Sequence, residues 1–524
     1  MTTMRLLMAQ FIPQGVDYVR ILPELILSAF GIVIMMLDPL VDEEKSQKTP
    51  GLIAFVGTIA GLLSTWSMAR SPGIAFSNMV RVDSFSVFFH ILIIAIAAVV
   101  ILSSFEYMAV QKIRAGEYYA LILFSIVGMG LMSSAVELVL IFISLEISSI
   151  STYILAGFRR NEASSSESSL KYFLLGSFAT AFFLYGVALI FGATGSTNIE
   201  IISRTLQAAP VELLVYVAMA LMLVGLGFKV AAAPLHIWTP DVYEGAPAPI
   251  VGFMSTAPKA AAFAVLLRVV FAINAPGCFW PIWVAAALSM TLGNVCALVQ
   301  TNIKRLLAYS SIAHAGYLIV AFAMATSENF ANGISAAMFY TAAYAAMNVG
   351  AFAVVSHFAN AGERYVTLED YAGLGRTSPL LAATLTIFLL SLIGIPMTGG
   401  FFAKFYVFSA ALKANLIWLT LIGVVNSAIG AYYYLRIIVV MYMRDSHKEV
   451  PVTPVPFALG VALAISIVAT LYLGILPNRV LQYAQRSAQS LLAQPAAPAP
   501  VGAAQVLPQA GPPANALRGS KKPI

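Results

Sequence analysis

Charge is scarce in this chain: of 524 residues only 10% are Asp, Glu, Lys or Arg, against 60% hydrophobic. Mean hydropathy is +0.87. Soluble domains carry about 25% charged residues, so a soluble enzyme or binding module is excluded and a polytopic membrane protein remains. Cysteine is almost missing too. Cys278 and Cys296 stand alone in apolar surroundings, with no CxxC or Cys/His spacing. That excludes a disulfide framework and a metal site, and also an iron–sulfur centre, which needs about four ligands. No RNP, zinc-finger or P-loop pattern occurs, and no GxGxxG opens a helix after a strand. The net charge of +6 therefore suits anionic lipid headgroups better than nucleic acid. Ahead of the first apolar run, Arg5 is followed by Pro13, Gly15, Asp17 and Arg20 without an A-x-A site, so no cleaved signal peptide is expected.

Long apolar runs are what the chain has in abundance. With about 20 residues needed per bilayer crossing, helices are expected near 20–38, 51–69, 83–104, 117–135, 137–157, 170–192 and 211–233. Seven more follow near 247–273, 280–300, 304–325, 332–358, 378–410, 414–443 and 454–475. The expected architecture is thus all-α, with about fourteen transmembrane helices. Residues 493–524 are Ala/Pro-rich without hydrophobic periodicity, and a disordered tail is expected there. Alternate loops hold Lys45, Lys48, Lys112, Arg114, Arg159, Arg160, Lys304, Arg305, Arg364, Arg376, Arg444 and Lys448. The opposite loops hold only Arg70, Arg81, Arg204 and Lys413. The first set is expected to face the cytoplasm, which with an even helix count puts both termini outside.

The stretch Leu221–Ala262 contradicts its own apolar setting. It places Lys229 and Lys259 inside membrane-length segments, with Pro234 shortly after the first and Pro258 immediately before the second. A charge at membrane depth costs roughly 3 kcal/mol or more, so it reads as functional. A proline there frees a carbonyl that needs another partner. The pattern returns near Lys404, in IGIPMTGGFFAKFY, five helices later. Paired interrupted helices point to an inverted-repeat transporter, so helices four to eight (117–273) and nine to thirteen (280–443) are expected to form two five-helix repeats. The first three helices (1–110) and the last (454–475) flank them.

Other ionisable residues divide by depth. Glu146 lies mid-helix in VELVLIFISLEISSISTYIL, where a carboxylate without a role is costly. Glu137, at the start of that helix, is within reach of headgroup water. Glu24 follows Pro23 in the first helix, and its reading stays balanced between function and structure. Lys171 opens the sixth helix and reads either as a snorkelling lysine or as an ion-pair partner of Glu146. Burial favours a neutral amine and a nearby carboxylate the charged one, so a lysine between the two can load and release a proton. An arginine, always charged, cannot. Arg268 and Arg436 are expected toward helix ends. His236 at the seventh-helix break and His314 in the tenth helix are candidates to bridge the lysine segments, with Tyr309, Ser310, Ser311 and Tyr317 helping to hold water. His90 reads more simply as a hydrogen-bonded core residue.

The motifs GFKVAAAPLHIWTPDVYEGAPAP, STAPKAAAFAV, QTNIKRLLAYSSIAHAGYLIV and GIPMTGGFFAKFYVF resemble the antiporter-like membrane subunits of respiratory complex I, most closely the subunit N branch (subunit 2 of chloroplast and mitochondrial complexes). The likeness runs from about Asp83 to Arg444. It implies two inverted five-helix repeats with broken helices seven and twelve. It also implies a coupled pair at Glu146 and Lys229, a modulating lysine at Lys171, a central connection at Lys259 near His314, and an exit residue at Lys404. A lysine at that last position favours the N branch over a paralogue with glutamate there. The expectation is a proton-translocating subunit of NADH–quinone oxidoreductase in the bacterial inner membrane. Its partners would be other antiporter-like and small membrane subunits, and FMN, iron–sulfur clusters, NADH and quinone would be bound elsewhere. A subunit of a multi-subunit cation/proton antiporter or of a membrane-bound hydrogenase is the alternative.

Overall fold

The computed structural model describes residues 13–40, 48–208, 211–273, 279–325, 327, 329–445 and 454–492. Lys45, Cys278, Lys448 and the expected tail lie outside the described residues. Among those described, thirteen helices are long and apolar enough to cross a membrane. They are Leu22–Leu37, Thr49–Ala69, Ser84–Gln111, Gly116–Ser134, Leu138–Ala156, Ala163–Thr194 and Leu213–Val230 (spans one to seven), then Ala248–Met254 with Ala257–Ile273 (eight), Phe279–Leu298 (nine), Ile303–Ile319 (ten), Phe330–Ala359 (eleven), Ile417–Met443 (thirteen) and Phe457–Ile475 (fourteen). Span twelve is divided into Pro379–Ile393 and Gly399–Lys413, which completes the expected fourteen.

The helix starts follow local chemistry. Asp83 caps span three by accepting from the Ser86 amide, and Glu137 caps span five by accepting from Leu140. Asn302 caps span ten through the Lys304 and Arg305 amides. Glu137 thus has the ordinary role its position suggested.

Packing recurs five spans apart. Spans four and five pack together, as do nine and ten; six packs on seven and eleven on both halves of twelve; four also meets eight, and nine meets thirteen. The chain just before span five pairs Glu137 with Asn198, and the chain just before span ten pairs Asn302 with Thr367. Five is an odd number, so alternation of crossings puts these matching bridges on opposite faces of the bilayer.

Three elements were not visible as transmembrane runs. A short hairpin joins Gly73–Ala75 to Val80–Val82. The helices Ile199–Ala208 and Pro477–Leu492 are each apolar on one side only, too polar on average to cross a membrane. Span eight also proves interrupted, at Ser255 and Thr256 just ahead of Pro258, where the resemblance implied breaks only in seven and twelve.

Candidate functional site

Lys229, Lys259 and Lys404 each reach a place where the backbone ladder fails. In span seven, Pro234 has no N–H to offer the Val230 carbonyl, and the helix ends with Ala231 in the left-handed conformation, φ 59°. The Ala232 and Ala231 amides turn back onto the Gly227 and Phe228 carbonyls, at 2.8 and 3.1 Å. The Trp238 indole donates to Phe228 as well, at 3.2 Å. The Lys229 ammonium is released toward spans five and six. It donates to Ser149 Oγ at 2.7 Å and Tyr153 Oη at 3.0 Å. The Tyr153, Tyr172 and Phe228 rings surround it, with centroids at 4.9, 5.7 and 5.7 Å. This is a cation–π cage.

Span eight breaks one turn before Lys259. Pro258 cannot donate to Met254, and the Ser255 and Thr256 hydroxyls bond back to the Gly252 carbonyl. Asn348 of span eleven holds Ser255 Oγ at 2.7 Å. Lys259 reaches span ten, donating to Ser311 Oγ at 2.5 Å and its carbonyl at 3.1 Å. One turn along, His314 Nδ1 lies 2.7 Å from Tyr340 Oη, and its Nε2 lies 3.3 Å from Tyr434 Oη. Tyr434 also bonds Ser310. A further turn on, Tyr317 presents its ring to Lys404, whose ammonium is 5.1 Å from the centroid.

Lys404 performs a second task. At the end of the first half of span twelve, the Ile395 and Gly394 amides satisfy the Leu390 and Ser391 carbonyls in a Schellman turn, with Gly394 at φ 94°. Pro396 leaves Leu392 without a donor. Lys404 Nζ fills the place, donating to Leu392 and Ile393 at 3.1 and 2.8 Å and to Ser427 Oγ at 2.8 Å. An open groove of about 590 Å³ between spans twelve and thirteen carries Lys404, Ser409, Thr420 and Ser427 among mostly apolar side chains such as Phe405 and Leu412. Lys229, Lys259 and Lys404 are 7%, 4% and 8% exposed, and among the described residues none forms an ion pair.

A search of known families matches residues 135–430 to a profile described as "NADH:quinone oxidoreductase/Mrp antiporter, TM". A Koribacter versatilis protein named NADH-quinone oxidoreductase subunit N 2 is 66% identical, covering 92% of this chain and 99% of its own. The chain belongs to this family. A chain of respiratory complex I from Thermus thermophilus with bound Aureothin superposes with TM-score 0.75 at 37% identity, covering 88% of this chain and 98% of that one. An archaeal membrane-bound sulfane sulfur reductase shares the fold alone, with TM-score 0.79 at 24% identity over 91% of this chain and 98% of its own.

Membership makes the placement of each expected residue informative. Lys259, Ser311, His314, Tyr317 and Lys404 do come together along one side of span ten. Glu146 is half-buried, one turn before Ser149, and its Oε1 is buried without a hydrogen-bond partner. It makes no direct ion pair with Lys229. Lys171 does not reach Glu146 either. At 41% side-chain exposure it pairs with Glu167 at 2.7 Å and Asp241 at 2.8 Å, because it sits near the loop end of span six, opposite the segment Thr239–Gly245. Among the described residues His236 makes no bridge, and its Nδ1 is buried and unpartnered.

Sequence reading also undervalued the loop ends. Arg159 and Lys304 were counted as loop charges, yet both are buried. They converge on Glu363, at 3.4 and 2.6 Å. Glu363 also accepts from Tyr107 Oη at 2.9 Å and the Ala248 amide at 2.7 Å. Burial alone would raise the Glu363 carboxyl, but Lys304 and Arg159 outweigh it and hold the group below its ordinary value. Beside it, Arg305 pairs with Asp241 at 2.7 Å and Glu244 at 2.8 Å. Burial opposes ionisation of Asp241 as well, and Lys171 with Arg305 prevails and lowers it. The signal available in sequence was the acidic pair in TPDVYEG following a broken helix.

Proposed function

We propose that this chain is the subunit N of a bacterial NADH–quinone oxidoreductase, translocating protons while electrons pass from NADH to quinone in other subunits, which carry the FMN and iron–sulfur clusters. The observation that carries the reading is the set of three buried lysines at helix interruptions, each held by neutral hydroxyls, carbonyls or aromatic faces instead of a carboxylate. An ammonium in such a setting is costly, and an amine is not. Each site therefore gains or loses a proton when its surroundings shift.

In this reading Glu146 and Lys229 are a separable pair. A movement that brings the unpartnered Glu146 oxygen toward the ammonium stabilises the proton on Lys229, and its withdrawal drives the proton onward. Lys171, bound to Asp241 beside the Lys229 break, sets where that segment rests. Lys259 receives the proton and passes it along span ten, where Ser311 and His314, with Tyr434 of span thirteen beside them, offer donor and acceptor atoms. Lys404 releases it past the Ser409, Thr420 and Ser427 hydroxyls of the otherwise apolar groove between spans twelve and thirteen. His236, unpartnered at the break, serves as a side contact to water. Spans four to eight and nine to thirteen act as inverted repeats, flanked by the N-terminal three spans (1–110) and the last (454–475). Both termini lie outside, with Lys112, Arg160, Arg305 and Arg376 on the cytoplasmic side.

The test is to purify the complex through a tag on this chain and reconstitute it in sealed vesicles. NADH–quinone turnover coupled to proton uptake is expected. A complex that exchanges sodium for protons and has no NADH-oxidising partner would overturn the reading.

A further inference from the structure

Away from the lysine line, the N-terminal spans hold a second buried acid–base contact. Glu24 lies in the first turn of span one, 5% exposed, and His90 in span three, 1% exposed. His90 Nε2 stands 2.6 Å from Glu24 Oε1. His90 Nδ1 is 2.7 Å from the Ser86 carbonyl and 3.1 Å from Ser133 Oγ. The second oxygen, Glu24 Oε2, is buried with no partner. An ionised carboxylate abandons a buried lone pair only at considerable cost, whereas a carboxyl sharing a proton with an imidazole does not need to fill it. Gly130 of span four makes the contact possible: a Cβ there would stand 2.7 Å from Glu24 Oε1 and 3.1 Å from His90 Nε2.

The pair is not isolated. Ser133, which touches His90, gives its carbonyl to Arg268 Nε at 3.1 Å, and Arg268 binds both oxygens of Asp83 at 3.0 and 3.1 Å. Asp83 opens span three at the face carrying the hairpin, where Arg81 pairs with Glu200. The groups facing the pair are thus Asp83 on its own span and Arg268 from span eight, with Arg81, Glu200 and the Tyr483 phenol of the last helix further out. Spans two and fourteen contribute no charged side chain.

We propose that Glu24 and His90 form a proton-exchange site of their own, holding one proton between carboxyl and imidazole and communicating through Ser133 with the hairpin face. No atom is transferred but the proton: it leaves the carboxyl oxygen for the imidazole nitrogen, or returns, as the outer aqueous phase supplies or takes it up. The inference rests on the proton-translocating reading only for the use made of that proton.

The experiment compares wild-type, Glu24→Gln, His90→Gln and Lys229→Ala complexes in sealed vesicles. Protons moved per NADH are followed as the pH facing the hairpin crosses the ordinary histidine value of about 6.5. Infrared difference spectra with pH then follow carboxyl protonation. A carboxyl band that titrates in the wild type and vanishes in Glu24→Gln is expected, shifted in His90→Gln, with the pH profile of pumping flattened by two-fold or more in both. Unchanged spectra and an unchanged profile in both variants would reduce the pair to a structural hydrogen bond. If Lys229→Ala alone pumps normally, the earlier reading fails, whereas the spectra still decide this one.

Discussion

The ends of span seven and of the first half of span twelve are the same device resolved in two ways. Both stop at a residue in left-handed conformation, and both lose a donor to proline, Pro234 or Pro396. In span twelve all four final carbonyls are answered: Leu390 and Ser391 by the turn, Leu392 and Ile393 by Lys404. In span seven the turn and Trp238 answer Gly227 and Phe228, and Lys229 is left to hydroxyls and rings. The first lysine is thus structurally uncommitted and the second doubles as a helix cap. Both ammonium groups lie at a helix C-terminus, where the dipole favours a cation, but only Lys404 donates directly to the free end carbonyls, so Lys404 is the better anchored ammonium and Lys229 the better carrier.

Substituting the two lysines should separate these roles most strongly. Lys229→Ala is expected to abolish proton uptake while the complex assembles with its thermal midpoint nearly unchanged. Lys404→Ala should also abolish it, and in addition lower stability by about 1–3 kcal/mol, because two buried carbonyls lose their donor. Equal midpoints for the two variants, read by thermal unfolding in detergent, would dissolve the contrast.

The buried cluster of Arg159, Lys304 and Glu363 gives the next effect. Breaking a buried charge cluster typically costs about 3–5 kcal/mol, so Glu363→Gln should destabilise the chain by that order. The sign of its pH dependence is fixed. The Glu363 value is lowered on folding, so its contribution is present above the unfolded value of about 4.3 and is lost as pH falls through the lower folded value. Unfolding curves against pH should lose their acid limb in the variant; an identical limb would show that Glu363 is not its source.

Smaller changes probe the cage around Lys229. Tyr153→Phe removes one hydrogen bond, about 1 kcal/mol, and keeps the ring. A several-fold change in pumping rate with unaltered assembly is expected, and no change would transfer the hold on Lys229 to Ser149 alone. Last comes Ala231→Gly, which touches stability and not the proton path. Gly394 occupies the matching turn of span twelve without strain, whereas a side chain in the left-handed region costs roughly 1–2 kcal/mol. The variant should stabilise span seven by up to about that amount, and a loss of stability would mean that the Ala231 methyl packs more than it strains.

Most of the helical plan was legible because its cause is local and extreme. Lipid demands about 20 apolar residues in succession, and prolines beside Lys229, Lys259 and Lys404 stand out against that background. The interruption of span eight was partly hidden, since Ser255 and Thr256 look no different from any small polar residues in a tight helix. The partner of Lys171 was left open because sequence gives spacing along one helix but not which loop folds over it. Only the seating of Thr239–Gly245 brings Asp241 within 2.8 Å.

Sequence alone determined that the chain spans a membrane many times, where its helices run and which lysines lie at depth, because burial of apolar surface and the cost of buried charge are properties of residues in order. Tertiary structure decided what each lysine touches. Ser149 and Tyr153, Ser311, and the carbonyls of Leu392 and Ile393 come from other helices or across a break. It also decided that Arg159, Lys304 and Glu363, from three separate segments, share one buried cluster. A hydrogen bond between distant segments depends on helix packing and rotation, and neither is written in the periodicity of any single helix.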